Sequence, residues 1–152
     1  MMTVLALMGI LFISGNALAL LPDFTKEELI SASEHIVLGT VQETHSAWAD
    51  DHSQIFTYVT LQLSEQFKGE NLGSSLVVQI PGGKVGEISQ VTSDTPNNLH
   101  IGSEVILHLF MQDTGYHWIY GWEKGALSVE NGSIPAYEMT VDQFRNLIEI
   151  TH

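Results

Sequence analysis

The chain has 152 residues, room for one domain with a core of its own and not for two ordinary ones. With 44% hydrophobic and 15% charged residues it is not a disordered chain. Its 18 acidic residues stand against only Lys26, Lys68, Lys84, Lys124 and Arg145, and a formal charge of -13 excludes a surface that tracks nucleic-acid phosphates.

The chain opens with an apolar run from Val4 to Ile13, followed by Ser14, Gly15 and Asn16 and then by Ala17-Leu18-Ala19. This order reads as a secretory signal peptide over residues 1–19, although no Lys or Arg precedes the run. The run is shorter than the roughly 20 residues of a spanning helix, so stable membrane insertion is not expected after cleavage. The remaining residues, 20–152, are expected as one secreted or periplasmic domain. There is no cysteine, so its core alone must hold it, which suits bacterial export.

Thr25 and Glu28 form a capping box before Leu29 and Ile30, which predicts a short helix. From His35 to about Val129 the period becomes two. Ile36, Leu38 and Thr40 alternate with Val37, Gly39 and Val41, and a longer strand follows from Ile55 to Ser64. Leu76, Val78 and Ile80 make a third strand, and Val105, Leu107, Leu109 and Met111 a later one. Tyr116 to Trp122 gives another, and Ala126 to Val129 a last. Thr92 to His100 reads as an irregular loop. Five or six short strands point to a mainly β chain folded as a small barrel. Thr140 with Gln143 repeats the capping pattern, and Val141, Phe144, Leu147 and Ile148 predict a closing C-terminal helix.

Gly82-Gly83-Lys84 resembles a phosphate loop only superficially, because Val85 follows the lysine where a hydroxyl residue and a helix start are needed. Pro81 and Gly82 suit the central positions of a type II turn, so this stretch is expected to end a strand and reverse the chain. No cofactor is implied.

The phrases HIVLGTVQETHSAW, TYVTLQLSEQFKGE, VVQIPGG and IGSEVILHLF resemble successive strands of the netrin-like type of OB-fold domain, a group that includes the tissue inhibitors of metalloproteinases. The resemblance covers roughly His35 to Val129 and rests on Gly39 and Val41, on Phe67-Lys68-Gly69, and on Gly102 ahead of Val105. It implies an OB-like barrel and an exported, non-catalytic role, such as partner or inhibitor of an exported enzyme, for instance a protease. The inhibitors act through an N-terminal cysteine, and a chain without cysteine cannot inherit those residues.

Two candidate sites remain. His45, Asp50, Asp51 and His52 lie close together in the first hairpin loop and bear ligand chemistry for Zn²⁺ or a similar ion, but imidazoles seven positions apart match no helical or finger spacing. A metal-dependent or hydrolytic enzyme using this loop is the alternative to a binding module, and a solvated hairpin is the plainer reading of the residues. Tyr116, Trp118, Tyr120 and Trp122 fall on one face if they share a strand. They are either core or a contact surface for an exported protein or a glycan. A small barrel hardly encloses four rings from one strand, so the four are the candidate binding residues. Trp122, beside Glu123 and Lys124, is the ring expected to reach solvent.

Overall fold

The structure, a computed structural model, describes residues 23–151; the expected signal peptide and its cleavage point lie outside the described residues. The first helix, α1 (Lys26–Ala32), starts as its sequence dictates. The Glu28 N–H donates to Thr25 Oγ1 at 3.2 Å, and the Thr25 N–H donates to the Glu28 carboxylate at 2.8 Å. Two donors that the helix start leaves open are thereby satisfied. At the other end Lys68 Nζ donates to the carbonyls of Ile30 (2.8 Å) and Ser31 (3.0 Å). A cation thus sits where the helix dipole is negative.

The strands follow as β1 (His35–Trp48), β2 (Ile55–Lys68), β3 (Ser75–Pro81), β4 (Gly83–Val85), β5 (Ile88–Gln90), β6 (Glu104–Met111), β7 (His117–Ile119), β8 (Ala126–Ser128), β9 (Ser133–Ile134) and β10 (Met139–Thr140), and α2 (Val141–Thr151) closes the chain. The main sheet runs β1-β2-β3-β7-β6-β8, and β1 also pairs with β6. The result is mainly β, a barrel-like sheet that does not close fully, with one helix before it and one after it. The seam between β3 and β7 is parallel and rests on one register pair, Val78 with His117, so the sheet is not sealed there by a full ladder.

One strand can border both β2 and β6 because β1 bends. Its register against β2 shifts at Ile36/Val37, Leu38/Gly39 and Val41/Glu43. At the second shift a side chain on Gly39 would put its Cβ 2.8 Å from the Gln62 carbonyl oxygen, so only glycine lets the backbones approach.

Alternation divides the apolar residues between two cores. Val37, Val41, Val59, Leu61, Leu76, Val78, Val105, Leu107, Leu109 and Ile119 fill the barrel, with Leu99 from the irregular loop. Ile36, Leu38, Ile106 and Leu127 point outward and are covered by Ile30 of α1 and by Val141, Phe144 and Ile148 of α2. Arg145 fastens α2 to β2 through two bonds to the Glu65 carboxylate, at 2.6 and 2.9 Å. The two helices therefore cover the outer face near β1, β6 and β8. The outer face of β3, of β7 and of the Phe56–Tyr58 end of β2 lies away from the α2 contacts at Glu65 and Phe67, and Phe56, Tyr58 and Trp118 stand on it. Among the described residues no helix is long and apolar enough to cross a membrane.

Two expectations are corrected. Pro81 ends β3 and Gly82 takes a positive φ of 97°, but the chain does not reverse there. It continues into β4 and turns back at Gly86 and Glu87, where Val85 pairs with Ile88. The strand expected from Tyr116 to Trp122 is only His117–Ile119. Gly121 stops it by taking φ 75°, where a side chain would also meet Leu29 Cδ2 at 2.5 Å, and Trp122 opens a 3-10 turn through Gly125.

Candidate functional site

The uncovered face is assembled from several strands. Phe56 and Tyr58 reach it from β2, Gln79 from β3, Phe110 from β6 and Trp118 from β7, while Tyr116 and Tyr120 flank β7. Trp118 lies near its centre. Its ring is 6.0 Å from Phe56, 6.5 Å from Phe110 and 6.3 Å from Trp122. Tyr120 is 6.2 Å from Phe110 and 5.5 Å from Phe24, which precedes α1. Tyr116 meets Tyr58 edge-on at 5.2 Å.

A single amide organises the array. Gln79 is 4% exposed, and its Oε1 accepts the Trp118 indole N–H at 2.8 Å and the Thr114 hydroxyl at 3.3 Å. Its Nε2 donates to the Tyr58 hydroxyl at 3.2 Å. Buried polar groups that are fully paired fix the rings around them. Beside this network Phe24, Phe110, Gln112, Trp118, Tyr120 and Trp122 wall a cleft of about 270 Å³, with Gly121 in its lining. That is the volume of a site for one side chain or one small ring system, at the lower end for ligand clefts.

The four rings expected from the sequence do come to one face, by a different route. Trp118 faces outward from β7, whereas Trp122 lies off the strand with φ 54° and folds its ring back toward Trp118. Trp118, Tyr120 and Trp122 are half-buried. The ring that reaches solvent furthest is Tyr116, at 38% exposure, and not Trp122. The intervening His117 and Ile119 are buried on the barrel side.

The structure corrects the placement of His45, which lies within β1 opposite Tyr58 and not in the first hairpin loop, and the candidate ligands are dispersed. His45 stacks on Tyr58 at 5.2 Å, and His52 stacks on Trp48 at 6.2 Å. Hydrogen bonding from the Ser53 side chain, and then from the Ser53 N–H at 3.0 Å, holds the Asp51 carboxyl below the usual range, and Asp50 is exposed. Among the described residues no three His, Asp or Glu side chains converge as a group that could hold a metal ion. Lys84 is exposed on β4.

Three groups of this surface were not singled out by sequence reasoning. Gln79 is the lone polar residue in VVQIP, a signal that a buried hydrogen bond was required. Phe110 follows His108 and Leu109 and reads as continued strand, and Phe24 stands too near the start to be assigned to a face. Elsewhere two histidines 82 positions apart meet at one end of the barrel, His35 and His117, with ring centres 5.3 Å apart. Burial, then the neighbouring His35, pushes the His117 pKa down, against a smaller upward pull from Glu34. His108 faces α2 and not the barrel interior. Its Nδ1 lies 3.3 Å from the Gly125 carbonyl, and burial pushes its pKa down to about 4.

No protein-family model matches the chain, and a search of curated proteins found no match.

Proposed function

We propose that this protein is an exported, non-catalytic binding module of the netrin-like OB type, an accessory or inhibitory partner of another exported molecule. The observation that carries the reading is the aromatic face over β2, β3 and β7. Rings from four stretches of the chain meet away from the helices, and a cleft opens between them. Exposed Tyr and Trp are the side chains from which contact surfaces draw most of their binding energy. The second and third strands are also the side on which OB-type sheets hold ligands. The apolar run and the Ala17-Leu18-Ala19 site support export.

The test is capture. Immobilised protein and its Tyr116→Ala and Trp122→Ala variants are exposed to the culture medium or periplasmic extract of the source cells. A bound molecule that the wild type retains and both variants lose is the expected result. Equal capture by all three sinks the assignment of the face.

A further inference from the structure

We infer that the aromatic cleft takes one apolar or aromatic side chain of a polypeptide whose neighbouring residues are lysines or arginines. The inference rests on the binding reading above and names the chemistry of the partner. Its first support is the shape of the cleft. The rings around it stand at 54° (Phe24 and Tyr120), 89° (Phe110 and Tyr120), 65° (Phe110 and Trp118) and 60° (Trp118 and Trp122) to one another. They form the walls of a box. A pyranose stacks on a ring presented flat and needs donors and acceptors around its edge, whereas Trp118 has already committed its N–H to Gln79. A side chain entering a box gains contact with every wall.

The second support is charge. Acidic residues stand next in the chain to cleft residues: Asp23 beside Phe24, Asp113 beside Gln112 and Glu123 beside Trp122, all three exposed. The Glu123 N–H donates to the Asp94 carbonyl at 3.0 Å, which brings a fourth acidic residue's loop to the Trp122 turn. Lys124 is ion-paired with Asp23, so those two charges cancel and the net negative charge at the rim is that of Asp113 and Glu123. The whole chain carries -13. Negative potential around the opening draws cations, and the faces of Trp and Tyr rings hold a cation as well. The same surface repels an acidic segment.

The experiment titrates the protein with three synthetic pentapeptides: phenylalanine between two pairs of lysines, alanine in the same frame, and phenylalanine between two pairs of glutamates. A cello-oligosaccharide and a malto-oligosaccharide are run alongside. Tryptophan fluorescence and indole N–H shifts of Trp118 and Trp122 report on the cleft. The lysine-framed phenylalanine should bind at least about tenfold more tightly than either other peptide and weaken as salt rises. Glu123→Gln combined with Asp113→Asn, both at exposed positions, should shrink the margin over the glutamate frame, and Trp122→Phe should shrink the margin over alanine. Equal binding of the two phenylalanine peptides overturns the inference. Oligosaccharide shifts at Trp118 and Trp122 without peptide shifts overturn it and leave the aromatic face as a binding site. If no probe moves either indole, both readings fall.

Discussion

The indole N–H of Trp118 donates to the side-chain oxygen of Gln79 at 2.8 Å, from β7 to β3, across the two strands that share a single register pair. The bond does for side chains what the short ladder does not do for the backbone. Replacing Gln79 with Leu leaves the indole without its acceptor and the Tyr58 hydroxyl without its donor. Loss of these bonds should cost about 1 to 3 kcal/mol in urea unfolding. The Trp118 indole proton should also exchange with solvent faster than in the wild type. An unchanged exchange rate would show that Gln79 does not hold the ring.

Tyr116 and Trp122 should separate binding from stability. At 38% exposure Tyr116 belongs to the surface, and Tyr116→Ala should change unfolding free energy by no more than about 0.5 kcal/mol. Trp122 is half-buried against Trp118, so Trp122→Ala should cost about 2 kcal/mol, less than the roughly 3 to 5 of a fully buried ring. Thermal unfolding of the two variants decides the point, and equal losses would contradict the arrangement.

The pH dependence of stability should carry the mark of His108. Its folded pKa of about 4 lies below the ordinary 6.5, so the unfolded chain takes up the proton first as pH falls. Stability is complete above pH 6.5 and is lost progressively toward pH 4. At pH 5, about 1.5 units below the ordinary value, the loss assignable to this group is about 2 kcal/mol, at about 1.4 kcal/mol per unit. His117, depressed in the same direction, adds to it. In denaturant unfolding at pH 7.5 and pH 5, His108→Leu should show a smaller fall than the wild type. Identical slopes would show that His108 does not resist protonation in the folded state.

Zinc titration should give no submicromolar binding at the first hairpin. His45 is stacked on Tyr58 and His52 on Trp48, and both must leave those rings and order a loop before sharing an ion. Calorimetry measures this directly. Submicromolar affinity that disappears in the His45→Ala, His52→Ala double variant would promote the hydrolytic reading.

Local signals were legible wherever a single element declares itself. The capping pairs Thr25 with Glu28 and Thr140 with Gln143 mark both helices, and the second is made as two bonds of 2.8 and 3.2 Å. Alternation of Val37 and Val41 with Ile36 and Leu38 identifies a strand with two buried faces, the mark of a sheet covered by helices on one side. What alternation could not show is where it stops. Tyr116 to Trp122 keeps period two throughout, and only the left-handed Gly121 ends the strand early. The hairpins β4–β5 and β9–β10 are too short to carry a period at all. The site was half legible, because four rings lie in one stretch of sequence whereas Gln79, Phe110 and Phe24 join them only through the strand order. Exposure followed from that order too, since Trp122 turns back onto Trp118.

The β3–β7 seam makes this barrel a ribbon with a clasp. Parting Val78 from His117 takes one backbone pair and the Gln79–Trp118 bond, whereas parting β1 from β2 takes a ladder that runs the length of both strands. Brief openings of the native molecule are therefore concentrated at the clasp, and they pull apart the same strands that hold the rings in place. Under the proposed binding reading, a guest seated among those rings would bind only the fastened form. Occupancy of the face and fastening of the seam would then be one equilibrium, and the amide protons of Val78 and Ile119 should become slower to exchange if a partner binds there, although neither residue need touch it.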